Sequence, residues 1–296
     1  MGIVLALIAA VVVLAGWYLH RYPIPVLQPA GEIGGKERNL MIFTASISLV
    51  VVIPVFIMLG VISWRYREGN PRGRYSPELD GNRVAEMVWW LIPAIMIGII
   101  GTITWRSSYA LDPFKPLSGA KTEHIQVVAL DWKWLFIYPD QHVASVNVAY
   151  VPVGTPVEFD ITSDTVMTSF WVPQLGGQMY AMPGMITKLN LRADKAGQYN
   201  GAAANISGKG FAKQTFTVEA VQPQLFPRAM RAVRVSDTKL TSTAYAALAK
   251  PGVMPQGEVR YYGSVNSSLY DTIVMKYMMP MNGGGSVDAG NVGVNF

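Results

Sequence analysis

NLMIFTASISLVVVIPVFIMLGVISW, residues 39–64, carries no charged side chain and stands between Arg38 and Arg65. At a rise of ~1.5 Å per residue, a helix of that length reaches roughly 39 Å. That exceeds the ~30 Å hydrocarbon layer of a bilayer, so the run spans with tilt. A second uncharged run, residues 87–105, reaches about 28 Å and just spans. Trp64, Trp89, Trp90 and Trp105 lie near the ends, where amphipathic rings favour the membrane interface. Pro54 and Pro93 fall inside the runs, a position lipid-embedded helices tolerate better than soluble ones. The bland alternative is two buried helices of a soluble core, and the composition argues against it. Only 15% of the 296 residues are charged, against ~25% in soluble domains.

Residues 1–22 form another apolar run with two readings, a cleaved signal peptide or a retained third transmembrane helix. It reaches Tyr22 before a proline, which favours retention. Leu14-Ala15-Gly16 reads like the start of a bacterial lipobox, but Trp17 stands where the lipidated cysteine belongs. Basic residues set the orientation. The segment 65–86 holds Arg65, Arg67, Arg72, Arg74 and Arg83, against Arg21, Lys36 and Arg38 on the other flank. The expected topology puts that loop in the cytoplasm and everything after Arg106 outside, in a bacterial periplasm.

From Glu123 onward the period becomes two. Val157, Phe159 and Ile161 alternate with Glu158, Asp160 and Thr162. Thr187, Leu189 and Leu191 alternate with Lys188, Asn190 and Arg192, and Phe216 and Val218 with Thr217 and Glu219. With punctuation at Pro152-Val153-Gly154, Gly176-Gly177 and Ala196-Gly197, this predicts half-buried strands in a sandwich or barrel. Past Val221 helical spacing returns, with Phe226, Met230 and Val233 on one face and Leu269, Ile273 and Met278 on another. The expected organisation has five parts: the apolar run 1–22, a transmembrane helical hairpin with a cytoplasmic loop at 39–106, an external β domain at 120–220, a helical, aromatic-rich extension at 221–281, and a flexible tail at 282–296.

Composition narrows the chemistry. There is no cysteine, which removes disulfides, thiolate metal sites, iron–sulfur clusters and covalent haem attachment. The three histidines, His20, His124 and His142, are too scattered for a haem pair or a copper cluster. Net charge is +5 overall and +3 after residue 105. An external surface built to steer a basic protein such as cytochrome c should be acidic, and nucleic acid calls for a basic run; neither is present. Met275, Met278, Met279 and Met281 offer thioethers to copper(I), but with no histidine or cysteine beside them packing or a flexible contact surface is the better reading.

Three longer words now carry a resemblance. Asp131-Trp132-Lys133-Trp134-Leu135-Phe136-Ile137-Tyr138-Pro139 comes first. Val166-Met167-Thr168-Ser169-Phe170-Trp171-Val172-Pro173 and Gly197-Gln198-Tyr199-Asn200-Gly201 follow in that order. From about residue 34 to residue 278 the chain resembles subunit II of the haem–copper terminal oxidases. The resemblance implies a membrane-anchored chain with two transmembrane helices, or three if the first run is retained. A cupredoxin-like Greek-key barrel would follow, all-β, and then the helical extension. In cytochrome c oxidases of that family two cysteines, two histidines, a methionine and a backbone carbonyl hold a pair of coppers, because soft thiolates share the metals. Laid onto this chain, the pattern puts Thr168 at the first histidine and Ala203 and Ser207 at the cysteines. Asn205 falls at the carbonyl-donating glutamate, which also helps bind magnesium in copper-bearing relatives; Phe211 falls at the second histidine and Gln214 at the methionine. No side-chain ligand survives, so no metal is expected in this chain. Trp132 and Trp134, which face the electron donor in cytochrome c oxidases, become core or interface residues.

That loss, together with Tyr75-Ser76-Pro77 and the segment from Tyr261-Tyr262-Gly263-Ser264-Val265 to Tyr277-Met278, resembles the quinol-oxidising branch. The branch implies a non-redox subunit of a proton-pumping complex that oxidises ubiquinol and reduces dioxygen to water. Haem b, haem o or a, and copper would lie in a partner subunit I, with subunits III and IV as further partners. Glu86 stands seven residues before Pro93, where the family has a glutamate at the mouth of a proton pathway into subunit I. Read without the resemblance, Glu86 complements the positive end of its helix, worth ~0.3–1 kcal/mol. Two alternatives stand beside this reading: a copper-bearing cytochrome c oxidase subunit II, and a free-standing membrane-tethered cupredoxin-like binding or assembly protein.

Overall fold

The computed structural model describes residues 24–70, 81–119, 121–255 and 257–278, with 10, 13, 14, 16–19, 21 and 22 of the N-terminal run. The tail 282–296, Tyr75-Ser76-Pro77, Arg72, Arg74, His20, Met279 and Met281 lie outside the described residues.

Helices α1 (Glu32–Arg65) and α2 (Arg83–Ala110) enclose the two uncharged runs, prolines included. Their apolar side chains face outward on every side: Phe56 is 68% exposed and Ile97 71%. No residue of α2 is buried, and in α1 only Ile33 and Gly34 are. A helix apolar all round and covered by none of the described residues suits an apolar solvent. Asn82 caps α2, its side-chain oxygen accepting from the N–H groups of Val84 and Ala85 at 3.1 and 3.2 Å. α1 has no side-chain cap. A carbonyl of the β domain substitutes: the Gly34 N–H donates to Leu175 O at 2.9 Å.

Ten strands follow: β1 (Glu123–Leu130), β2 (Lys133–Tyr138), β3 (Val143–Val146), β4 (Val148–Pro152), β5 (Val157–Ser163), β6 (Thr168–Trp171), β7 (Gln178–Ala181), β8 (Thr187–Leu191), β9 (Gly197–Ala203) and β10 (Thr215–Val221). The extension adds α3 (Phe226–Arg234), β11 (Lys239–Leu240), α4 (Ser242–Leu248), β12 (Arg260–Tyr262), β13 (Ser264–Val265) and α5 (Leu269–Met278). One sheet runs β12-β3-β2-β1-β5-β8 and the other β4-β10-β9-β6-β7. β1 with β5 and β4 with β10 pair in parallel, so the chain crosses between layers instead of meandering. Trp134, Phe136, Phe159, Phe170 and Phe216 fill the space between the sheets, with the Phe170 and Phe216 rings stacked at 4.7 Å.

The outer face of the first sheet has a second core. Val128, Leu130, Leu135, Ile137 and Val146 meet Leu240, Leu248, Met254, Tyr262, Leu269 and Ile273 of the extension. Asp164, after β5, clamps that extension: it accepts from the Tyr245 hydroxyl at 2.6 Å, the Tyr277 hydroxyl at 2.9 Å and Lys276 Nζ at 2.7 Å. Burial, reinforced by Asp164, pushes the Tyr245 phenol far above the ordinary tyrosine range.

The extension differs in part from the helical expectation. Phe226, Met230 and Val233 are buried on α3 as the spacing predicts. On α5, Leu269, Tyr270, Ile273 and Val274 are buried while Met278 is 53% exposed, so the contact face is turned toward Tyr270. Tyr261-Tyr262 is strand, not helix: β12 pairs antiparallel with β3 and covers what would be an open sheet edge.

Candidate functional site

The six positions matched to copper ligands converge at one end of the barrel, on the start of β6, the end of β9 and the loop from β9 to β10. Thr168 and Ala203 sit on neighbouring strands, since Phe170 pairs with Ala203. Asn205 Nδ2 donates to Met167 O at 3.2 Å, and the Ala204 N–H to Ser169 Oγ at 3.0 Å. Ser207 Oγ reaches Gln214 Oε1 at 3.4 Å, and Gln214 Nε2 donates to Leu130 O at 3.2 Å. The Gln214 carbonyl accepts from Ala203 N–H at 3.0 Å and Trp134 Nε1 at 3.4 Å. Phe211 opens a short 3-10 turn. Hydrogen bonds therefore hold this end of the barrel together.

These residues do not fit a copper pair. A hydroxyl, a methyl, a phenyl ring and carboxamides supply no soft donor. The Thr168 and Asn205 side-chain oxygens are buried with no partner among the described residues, yet neither is a ligand that copper selects. Trp134 is fully buried, against the rings of Phe170 and Phe216. Trp132 sits at a φ of 60° and lays its ring over Gly210, where a Cβ would stand 2.7 Å from Trp132 Cε2. Sequence reasoning missed that pairing, although a glycine facing an aromatic across a loop is its signal. Val166, Met167 and Ile206 stand exposed around this end, Ile206 by 80%.

Glu86 is elsewhere, exposed in the first turn of α2. α2 runs from there to the barrel, where the Pro113 carbonyl accepts from the Asn190 N–H at 3.2 Å. Glu86 thus marks the end of the hairpin farthest from the β domain, compatible with both roles weighed for it.

A third group went unread in the sequence. On the outer face of β1, β5 and β8, donor atoms of His124, Glu158 and Asp160 lie within 4.8 Å of one another. Lys188 Nζ stands among them, 2.5 Å from Glu158 Oε1 and 3.7 Å from Asp160 Oδ1. The ammonium already supplies the positive charge, so the group reads as an ion-pair cluster.

With this geometry in place, known proteins supply the lineage. The family described as cytochrome c oxidase subunit II, periplasmic domain, matches residues 139–221, and the oxidase aromatic-rich motif matches residues 234–281. Cytochrome bo(3) ubiquinol oxidase subunit 2 of Pseudomonas putida is 43% identical over 85% of this chain and 80% of its own length. Ubiquinol oxidase subunit 2 of Acetobacter aceti is 40% identical over 85% of this chain and 82% of its own. Among solved structures, the periplasmic domain of subunit II of cytochrome oxidase of Bradyrhizobium japonicum matches 40% of this chain and 96% of that one, at 22% identity and a TM-score of 0.37. On the extent and identity of the two full-length relatives, the chain belongs to the quinol oxidase subunit 2 family of the haem–copper oxidases.

Proposed function

We propose that this chain is the copper-free subunit II of a proton-pumping ubiquinol oxidase, held in a bacterial inner membrane with its barrel in the periplasm. One observation carries the copper-free reading: Thr168, Ala203, Asn205, Ser207, Phe211 and Gln214 offer no soft donor, and the last loop is closed by hydrogen bonds a metal would have to break. The names of the relatives support ubiquinol as the substrate class of the complex. Quinol dissolves in the bilayer and yields its electrons there to haem in the partner subunit I, so an external relay has no donor to serve. The chain's own work is mechanical and protonic. α1 and α2 offer apolar surface to subunit I, to subunits III and IV, and to lipid. The barrel caps subunit I through the exposed Val166, Met167 and Ile206. The arginines of 65–86 support a cytoplasmic position for Glu86, where a carboxylate at the membrane boundary collects protons for subunit I.

Detergent purification of the assembled complex tests this. Expected are a haem-bearing partner, ubiquinol-dependent oxygen uptake and no stoichiometric copper in the isolated chain. Redox-active copper in that chain overturns the copper-free reading, and extraction as a free chain without haem overturns the subunit reading. Glu86→Gln should slow turnover severalfold with assembly intact. Unchanged turnover at saturating quinol leaves Glu86 with its helix-end role alone.

A further inference from the structure

A cleft of about 340 Å³ opens beside α3, lined by Lys121, Gln141, Phe226, Met230, Arg231 and Arg234. Backbone hydrogen bonds fix where it lies. Ala193, which bridges to Gly31 just before α1, accepts from the Gly154 N–H at 2.8 Å, and Val221 accepts from the Val153 N–H at 2.9 Å. α3 starts five residues after Val221, and Lys121 stands two residues before β1. The cleft therefore opens at the end of the barrel from which α1 and α2 depart, the end that a bilayer around those helices reaches.

α3 has two faces. Phe226, Met230 and Val233 are buried in the inter-sheet core. Arg228, Arg231 and Arg234 recur at every third residue, all exposed, and none forms an ion pair among the described residues. Arg231 Nε donates to Pro227 O at 3.4 Å and Arg234 Nη2 to Gln141 O at 2.7 Å, so most of their N–H groups remain for a ligand. Two carboxylates stand nearby. Glu123 is buried, accepts from Gln141 Nε2 at 2.7 Å and lies 3.7 Å from Lys121 Nζ. Asp140, exposed in the loop that carries Gln141, pairs with neither arginine. The balance at the cleft is positive. At the two ends of α3, Leu225 and Val235 are 50% and 80% exposed, apolar side chains that suit the boundary between headgroups and acyl chains.

We propose that this cleft binds the phosphodiester of an anionic phospholipid from the surrounding bilayer. The Arg231 and Arg234 guanidinium groups, with paired N–H donors, and the Lys121 ammonium meet the phosphate oxygens. Leu225 and Val235 enter the boundary where the acyl chains begin. Excess positive charge selects a headgroup of net negative charge, because a zwitterion brings a further cation to a site that already holds three. The exposed apolar ends of α3 favour a lipid over a free phosphate ester. The proposal rests on the membrane position of α1 and α2 and needs nothing of the oxidase chemistry.

Native mass spectrometry of the delipidated full chain in detergent tests it. The probes are phosphatidylglycerol and phosphatidylcholine of matched acyl chains, with soluble glycerol phosphate as competitor. Phosphatidylglycerol should be retained roughly tenfold better, an advantage that shrinks as salt is raised. Arg231→Gln combined with Arg234→Gln should erase the preference. Lys209→Gln combined with Lys213→Gln removes the same charge from exposed positions at the far end of the barrel and should leave it intact. Arg231→Gln alone should lower retention severalfold. Its guanidinium bonds only to its own helix among the described residues, so this variant keeps the test decisive even where the double variant fails to fold. Equal retention of the two lipids overturns the proposal. An equal loss from the Lys209 and Lys213 pair also overturns it, by making the preference one of overall charge. Competition by glycerol phosphate at the lipid's own concentration overturns the lipid assignment in favour of a free phosphate ester.

Discussion

At the helix end of the barrel, backbone meets backbone. Gly34 N–H donates to Leu175 O, Ala30 N–H to Gln174 O at 2.7 Å, and Asp194 N–H to Ala30 O at 2.8 Å, while Gly31 bridges to Ala193. Glu37 accepts from Gly177 N–H at 3.0 Å, and Glu32 pairs with Arg192. At the far end, around Thr168 and Gln214, loops are tied by side-chain hydrogen bonds, with two buried oxygens left over. An end that must hold two membrane helices at a fixed position leaves no room for a side chain. An end whose loops are tied by side chains keeps its shape through replaceable polar contacts. Tolerance to substitution should therefore be very unequal between them.

The largest effect is expected at the glycine joint. Gly176 has a φ of 96°, and a Cβ there would stand 2.8 Å from Gly34 Cα. Gly176→Val should lower stability by ~3 kcal/mol or more, combining backbone strain with a clash. Thermal unfolding in detergent measures the loss, and proteolysis near residues 24–31 should accelerate as α1 undocks. Two adjacent glycines make a sharper contrast. A Cβ on Gly34 would lie 2.9 Å from Gln174 O, whereas Gly35 has nothing within 4 Å. Gly34→Ala should destabilise, while Gly35→Ala should stabilise by up to ~1 kcal/mol through helix propensity. Equal effects at the two positions would mean that the joint is not a close-packed backbone contact.

The far end should respond less, and with both signs. Gln214→Leu leaves Leu130 O without its donor and should lower stability by ~1–3 kcal/mol in chemical denaturation. Thr168→Val keeps the shape and removes a buried hydroxyl that has no partner among the described residues. It should be neutral or stabilising by up to ~1 kcal/mol. A large loss from Thr168→Val would show that its hydroxyl is engaged after all, and would undo the contrast.

What the residues disclose in advance follows from how many faces each element buries. β5 and β10 alternate visibly in sequence because one face of each is more open. β2 is buried along its whole length, and β1 over its last four residues, because the extension covers the sheet's second face. A continuous apolar run of that kind does not by itself separate strand from helix. The six positions laid against copper ligands come from resemblance alone. The plug of Ser207, Gln214 and Leu130 is not readable in advance, because it joins residues far apart in sequence through one side chain and a carbonyl. The joint did leave a sign. Gly31, Gly34 and Gly35 crowd the start of a helix, where glycine is unfavourable, and Gly176-Gly177 interrupts the strands.

The smallest effect expected lies between the two ends, on the outer face of β5. Burial pushes the Asp160 carboxyl above its ordinary value; Lys188 opposes the shift and Glu158 adds to it. A carboxyl that holds its proton more tightly when folded stabilises the native state below the unfolded pKa. That contribution is lost as pH rises through the folded value. Stability should therefore fall gently as pH climbs from about 4, the ordinary aspartate range, toward neutrality. Asp160→Asn keeps the shape, leaves Lys188 its 2.5 Å contact with Glu158, and removes that titration. The variant should flatten this part of the profile and match or exceed the parent at neutral pH, while differing little from it at the acid limit. A variant weaker than the parent at neutral pH would show that the charge on Asp160 is needed to hold Lys188 against the sheet, and that attraction to the ammonium outweighs burial at this position.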